Sequence, residues 1–144
     1  MEAMRSTSGS SFVVLLSLVL IVLTAVVARA QSSNGDPAAK TLKNPVAASA
    51  KSVATGQELY QKYCKHCHGD SAKGDGTLAP SGSHPRDLTD AGWQKKMTDG
   101  EIFGTIRDGV PPKFWMKGFR SKLTAQEMWH LVNYVRSLAP KPSR

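Results

Sequence analysis

Two cysteines and a histidine stand close together near the middle of the chain. Cys64, Cys67 and His68 lie in the run Tyr63-Cys-Lys-His-Cys-His-Gly69, and the sequence contains no other cysteine. On a helical turn, positions three and four residues apart share a face, so the three side chains can point to one side. The pattern C-x-x-C-H is typical of haem c attachment, with two thioether bonds and the histidine as an iron ligand. The motif therefore predicts one covalently bound haem c.

Two other chemistries remain open for this motif on the residues alone. In an oxidising compartment the cysteines could form a disulfide or a redox-active dithiol. Structural zinc would need four ligands, and His66, His84 and His130 are the other histidines available. Because the chain has no second paired-ligand motif, zinc is the weaker of the two alternatives.

The direction of the helix that carries the cysteines bears on the dithiol alternative. Thr55-Gly-Gln-Glu58 is a capping-box pattern, so a helix is predicted to begin near Gly56 and to end near Gly69. The cysteines then lie at its C-terminal end, where the helix dipole is negative and opposes thiolate formation. This polarity favours haem attachment over dithiol chemistry.

The N-terminal third of the chain has the composition of a leader and a tether. Residues 12–27 form an uncharged apolar run after Arg5, and Ala28-Arg-Ala30 is a small-x-small cleavage pattern. We expect residues 1–30 to be a signal peptide or, alternatively, an uncleaved membrane anchor, which predicts a periplasmic or other extracytoplasmic location. Residues 31–52 are polar, without aromatic residues, and predict a flexible linker. Residues 53–144 remain for one small domain.

The charge of the chain limits the class of partner. The formal net charge is +8, and Lys113, Lys117, Arg120 and Lys122 follow one another in a stretch without acidic residues. Export argues against nucleic acid as the target, which leaves an acidic protein surface or an anionic membrane. We therefore expect redox partners with acidic docking surfaces, with a membrane tether as a further possibility.

Four segments resemble the class I cytochrome c domain family of small bacterial monohaem c-type cytochromes. They are residues 56–76 with the C-x-x-C-H turn, the loop 80–89, the capping-box segment 98–109, and residues 116–138. In the last segment, Thr124 and Glu127 form a second capping box, and the apolar residues after them recur with a helical period. The resemblance implies an all-α cytochrome c fold, in which three to five short helices wrap around one covalently attached haem. It also implies a crossing of the first and last helices at Gly56 and Tyr60.

The resemblance assigns two further residues to the haem site. Family members usually have a proline whose carbonyl holds the proximal histidine, and Pro80 matches this position best. Arg86 lies in the loop that the family places near the haem propionates. Both are expected cofactor-binding residues, besides Cys64 and Cys67.

The sixth iron ligand has to be chosen among several candidates. Met128 lies inside the last apolar helix and Met97 directly precedes a short helix, so core packing is the expected role of both. Met116 follows Pro111-Pro112 and precedes Gly118, on an irregular segment that can approach iron from the side opposite His68. His84 and His130 remain the alternatives to Met116.

Histidine–methionine ligation has a functional consequence. Iron with both axial positions filled has no vacancy for a small substrate, so the expected function is electron transfer and not enzymatic catalysis. The donor would be a dehydrogenase and the acceptor an oxidase or reductase. A haem subunit of a larger dehydrogenase or oxidase complex is one alternative, and a haem-based sensor or weak peroxidase is another if Met116 is not a stable ligand.

Overall fold

The computed structural model describes residues 37–140, which form helices joined by loops. The elements are a 3-10 helix at Pro37–Thr41 and five α-helices: α1 Ala50–Tyr63, α2 Lys65–His68, α3 Ala91–Lys96, α4 Asp99–Asp108 and α5 Ala125–Ser137. Within residues 37–140 there is no strand, and Gly109 and Lys117 form an isolated antiparallel bridge. The expected all-α class is confirmed.

The first and last α-helices cross at a glycine, as the resemblance implies. A Cβ atom built on Gly56 would lie 2.1 Å from the carbonyl oxygen of His130, so only glycine allows this approach. One turn later the rings of Tyr60 and Tyr134 meet with centroids 5.2 Å apart. The crossing of α1 and α5 fixes the end of α1 that carries Cys64.

Helices α4 and α5 begin where their capping boxes predict. The hydroxyl of Thr98 accepts from the Glu101 N–H at 3.2 Å, and the Glu101 carboxylate accepts from the Thr98 N–H at 2.7 Å. Thr124 and Glu127 repeat the arrangement at the start of α5. Each box satisfies N–H groups that the first helical turn leaves unpaired.

The core lies between α1, α4 and α5. Phe103 of α4 stacks on Trp129 of α5, with ring centroids 4.1 Å apart. Helix α5 supplies more buried apolar side chains than any other element of the described residues, namely Met128, Trp129, Leu131, Val132, Tyr134 and Val135. This set agrees with the apolar helical period of the sequence.

The flexible linker expected over residues 31–52 is wrong for its described part. Ala39 is 2% exposed, and its carbonyl oxygen would lie 1.9 Å from a Cβ on Gly100 of α4. The Asn44 amide donates to the Asn133 side chain of α5 at 2.8 Å. The segment packs through a small residue and amide hydrogen bonds, which leave no apolar period in the sequence. We call residues 37–49 the N-terminal strap.

The start of α1 also differs from the expectation. The helix begins at Ala50, and its cap is Ser49, whose hydroxyl accepts from the Ser52 N–H at 3.2 Å. The capping-box pattern at Thr55–Glu58 lies inside the helix. The first turn carries lysine, serine and alanine without an apolar stripe. The sequence therefore does not predict that the Ser52 hydroxyl in this turn accepts a hydrogen bond from the Asn133 amide.

The leader lies outside the described residues. Residues 1–36 and 141–144 are not described, so the signal peptide or anchor at 1–30 and the linker up to residue 36 stay predictions. Across residues 37–140 no helix combines the length and apolar character needed to span a bilayer.

Candidate haem site

The C-x-x-C-H motif sits where one helix ends and a single further turn begins. Cys64 caps α1, with its N–H donating to the Tyr60 carbonyl at 2.9 Å, while Cys67 and His68 belong to α2. Gly69 ends the turn with φ 82°, in the left-handed region. Both cysteines are free, half-buried thiols. Cys64 lies at the C-terminal end of α1 and Cys67 in the turn that follows, near the predicted end of this helical segment.

The loop that follows folds back beneath this turn. The carbonyl oxygens of His66, Cys67 and His68 accept from the backbone N–H groups of Leu78, Gly76 and Gly74, at 2.9, 3.1 and 2.8 Å. The loop thus satisfies carbonyls that a helix end leaves unpaired. The geometry of the haem-binding turn is therefore set by backbone hydrogen bonds.

Glycine is required in this loop for a physical reason. Gly74 has φ 84°, and a Cβ on it would lie 2.2 Å from the Pro85 carbonyl oxygen. A larger residue would push the segment 85–88 away from the turn. That segment is also tied to the loop by the Leu88 N–H, which donates to the Ala72 carbonyl at 2.8 Å.

The segment held in this way orients His68. The imidazole Nδ1 lies 3.0 Å from the Arg86 carbonyl oxygen, which can only accept, so Nδ1 carries the proton. Burial lowers the pKa of His68 more than this hydrogen bond raises it. A neutral ring with a protonated Nδ1 leaves Nε2 with a lone pair for a metal.

The carbonyl that holds His68 is not the expected one. The Pro80 carbonyl accepts from the Ser83 N–H at 2.8 Å, and the carbonyl of Arg86 takes the role expected of Pro80. Pro85 fixes the backbone just before Arg86, but no pattern in the sequence selects the Arg86 carbonyl as the acceptor. The expected role of the Arg86 side chain at the propionates stays a prediction; that side chain is exposed.

The thiols fit haem attachment better than the alternatives. Burial, followed by the charge of Cys67, raises the pKa of Cys64 to about 12, which disfavours a reactive dithiol. Within residues 37–140 no three Cys, His, Asp or Glu side chains converge as a metal ion would require. Thioether attachment needs no such convergence, because the two thiols bond to separate vinyl groups. The donor set of Cys64, Cys67 and His68 therefore fits haem c.

Met116 lies on a loop that leaves the end of α4 and returns to it. The Val110 N–H donates to the Met116 carbonyl at 3.0 Å, beside the bridge between Gly109 and Lys117. Met116 is half-buried and packs against the same core cluster as Cys64. Its ligation of iron stays a prediction.

The other candidate ligands have different surroundings. Met128 is 3% exposed in the core, and Met97 caps the end of α3. His130 shares a 2.7 Å hydrogen bond with the Ser52 hydroxyl, twelve residues and roughly 18 Å along α1 from Cys64. His84 is exposed in a loop. These positions favour Met116.

Comparisons with known proteins agree with this site. The family model described as cytochrome c oxidase, cbb3-type, subunit III matches residues 51–135, which include the C-x-x-C-H turn. The solved structure of the KustC0563 c-type cytochrome is 35% identical with a TM-score of 0.51, and the match covers 59% of this chain and 98% of that one. A search of functionally curated proteins finds no match.

A second solved structure has a lower identity. A chain of the Kuenenia stuttgartiensis reducing HAO-like protein complex Kustc0457/Kustc0458 is 24% identical with a TM-score of 0.57. That match covers 69% of this chain and 50% of the other, and at this identity it supports the fold alone. The family model spans more than half of the chain and contains both cysteines and His68. The chain therefore belongs to the c-type cytochrome domains of the cytochrome c oxidase, cbb3-type, subunit III family.

Proposed function

We propose that this protein carries single electrons between redox proteins outside the cytoplasm, using one haem c with His68 and Met116 as axial ligands. The observation that carries the proposal is the fixed imidazole of His68. Its Nδ1 is held by the Arg86 carbonyl on the same turn that presents the two cysteines. The haem supplies a one-electron iron couple, and the chain supplies attachment, axial ligands and burial.

Each residue of the site has a separate task in this proposal. Cys64 and Cys67 anchor the porphyrin through thioethers, which keeps the cofactor bound when the iron changes its charge. Burial keeps His68 neutral, and the Arg86 carbonyl fixes its tautomer and orientation, which strengthens it as a ligand. Met116 would be the second iron ligand from this chain and would thereby exclude small substrates.

The test of the ligand set is an optical spectrum of the holoprotein, made in a host that attaches haem c. Pyridine haemochrome analysis reports the thioethers, and the methionine–iron absorption band of the oxidised protein reports the sixth ligand. We expect Met116→Ala to lose that band and Met128→Leu, which changes a buried core thioether, to keep it. An absent covalent haem would end the proposal, and an unchanged band in Met116→Ala would move the sixth ligand elsewhere.

Carbon monoxide binding to the reduced holoprotein tests the sensor and peroxidase alternative. A carrier with two strong axial ligands should bind carbon monoxide slowly or not at all when reduced. Rapid carbon monoxide binding to the wild type would mean that Met116 is absent from the iron or easily displaced. The chain would then have an open coordination site suited to a gas or peroxide.

We also propose an acidic partner surface. Lys113, Lys117, Arg120 and Lys122 are all exposed around the Met116 loop and its return to the core. Complementary charge would speed encounter in a manner that depends on salt. We expect Lys117→Glu with Lys122→Glu to slow electron transfer to an acidic acceptor at low ionic strength. The matched control is Lys95→Glu with Lys96→Glu, which reverses two exposed charges on α3; equal slowing in both pairs would remove the proposal.

A second candidate function is that of a fixed haem subunit. The description of the matching family names an oxidase subunit, which favours this candidate. Native electrophoresis of solubilised membranes separates the two: a carrier migrates near its own mass of 15.5 kDa or less, whereas a subunit migrates with a large complex. The intact mass of the same protein shows whether residues 1–30 are removed.

A further inference from the structure

The loop that carries Met116 is closed at its base by a cluster of charged side chains. Asp108 is the last residue of α4, and Arg120 follows the loop on its return. The Arg120 guanidinium donates to one carboxylate oxygen of Asp108. The Arg107 side chain binds the same carboxylate, with Nε 3.0 and 3.1 Å from its two oxygens and Nη2 at 2.7 Å.

The backbone beside this cluster is tightly packed. The Phe119 N–H donates to the Ile106 carbonyl at 2.9 Å, and the Arg120 N–H donates to the Arg107 carbonyl at 3.2 Å. A Cβ on Gly118 would lie 2.5 Å from the Arg107 carbonyl oxygen. We call residues 106–109 and 117–120 the neck of the Met116 loop.

The neck is also connected to the haem side of the molecule. The ring of Phe119 meets the ring of Tyr63, which directly precedes Cys64, edge to face with centroids 6.0 Å apart. By contrast, the residues of the loop between the two segments of the neck are exposed from Val110 to Trp115. The direction in which Met116 points is therefore set where the chain leaves and re-enters the core.

We propose that Asp108 and Arg120 are positioning residues, whose ion pair across the neck keeps the Met116 thioether at the iron. This inference rests on the proposed ligation by Met116 and adds the element that controls it. When the neck opens, the two ends of the loop separate, and the Met116 thioether can then move away from the iron. The pair thus acts through Met116.

The expected effect is modest, because the pair is partly exposed. The side chain of Arg120 is 68% exposed and that of Asp108 is 31% exposed. Exposed ion pairs typically contribute less than about 1 kcal/mol, which corresponds to a change of roughly two- to five-fold in an opening equilibrium. The hydrogen bonds from Arg107 to the same carboxylate orient Asp108 for its pairing with Arg120.

Imidazole binding to the oxidised holoprotein tests the proposal. Imidazole enters the axial position only after methionine leaves, so its binding rate reports how often the loop opens. We expect Asp108→Asn and Arg120→Gln each to raise this rate about two- to five-fold, and the double variant to raise it no further. Arg120→Lys keeps the charge and should restore part of the wild-type rate. Lys95→Gln removes an equal charge from exposed α3 and should leave the rate unchanged.

The outcomes separate this inference from the ligand assignment. A wild type without a methionine–iron band would overturn Met116 ligation and, with it, the role of the neck. A normal wild-type band with rates that neither variant changes would overturn the role of the ion pair alone. Additive effects in the double variant, or an equal effect of Lys95→Gln, would also overturn it. Arg120→Gln alters a largely exposed side chain, so it tests the pair even if Asp108→Asn fails to fold.

Discussion

The two sides of the candidate iron site are built differently. On the His68 side, three successive carbonyls of the haem-binding turn accept loop N–H groups, and the Arg86 carbonyl holds the imidazole. On the Met116 side, six consecutive exposed residues, 110–115, precede Met116, and the loop is held at its neck. His68 is held by backbone hydrogen bonds along its whole turn, whereas Met116 is held only at the ends of its loop.

This difference in how the two sides are held predicts that the Met116 side opens more readily than the His68 side. Moving His68 would break hydrogen bonds at the turn and at Arg86 together, whereas moving Met116 requires only that one loop swing out. Segments with exposed backbone bonds and few buried contacts open at lower free energy than packed ones. We therefore expect ligand exchange at Met116, while His68 and the thioethers keep the haem in place.

Amide hydrogen exchange should show the largest difference between the two sides. The N–H groups of Gly74 and Gly76 bond to carbonyls of the haem-binding turn, and those of Val110 and Phe114 bond within the Met116 loop. We expect the first pair to exchange more slowly by on the order of 100-fold in the reduced holoprotein. NMR-detected exchange measures all four amides in one experiment. Similar rates in the two pairs would mean that the two sides are equally rigid.

A matched pair of glycine substitutions should give the next largest effect. Gly74 and Gly82 have similar backbone angles, φ 84° and 74°, so alanine meets about 1–2 kcal/mol of strain at either position. A Cβ on Gly82 has no atom within 4 Å, whereas one on Gly74 collides with the Pro85 carbonyl. We expect Gly74→Ala to lower the free energy of unfolding by about 1–3 kcal/mol more than Gly82→Ala.

Denaturant unfolding of the two holoproteins measures this difference. The collision also predicts that Gly74→Ala disturbs His68, because Pro85 precedes the carbonyl that holds the imidazole. An equal loss of stability in the two variants would contradict the conclusion that the His68 side is the more rigid one. The loop under the turn would then be soft enough to absorb a methyl group.

The sequence could predict the parts of this site that depend on local spacing. The C-x-x-C-H turn, the capping boxes at Thr98 and Thr124, and the close crossing at Gly56 each involve residues a few positions apart or a recognisable family pattern. The carbonyl that holds His68 could not be predicted, because any backbone carbonyl can accept and the loop path decides which one arrives. The N-terminal strap was missed since Ala39 and Asn44 pack without an apolar period.

The hydroxyl of Tyr60 provides a smaller test of the His68 side. It is buried and donates to the Gly69 carbonyl at 2.6 Å, at the end of the haem-binding turn. Burial raises the pKa of this phenol above its ordinary value, so the donor stays protonated. The same carbonyl also accepts from the Ala72 N–H, so Tyr60→Phe leaves no unpaired acceptor. We expect Tyr60→Phe to lower the free energy of unfolding by about 1 kcal/mol.

Tyr63→Phe is the control for that substitution. Tyr63 is half-buried on the same helix and makes ring contacts with Phe119 and Lys62, which phenylalanine can keep. We expect it to change the free energy of unfolding by less than about 0.5 kcal/mol. A loss as large as that of Tyr60→Phe would show that the bond to Gly69 does not stabilise the turn.

The acid dependence of stability should give the smallest effect, and it belongs to the Met116 side. Hydrogen bonds from Arg107, then from Arg120, lower the pKa of Asp108 below its ordinary 3.8. A carboxylate with a lowered folded-state pKa stabilises the fold fully above its unfolded pKa and loses that contribution as pH falls through the folded value. The melting-temperature advantage of the wild type over Asp108→Asn should therefore be constant near neutral pH and shrink below about pH 3.8. Thermal melts of both holoproteins across this pH range measure the difference in melting temperature. The contributions of the other carboxylates are the same in both proteins and cancel in that difference. An advantage that persists unchanged well below that pH would show that Asp108 contributes to the neck by packing and not by charge.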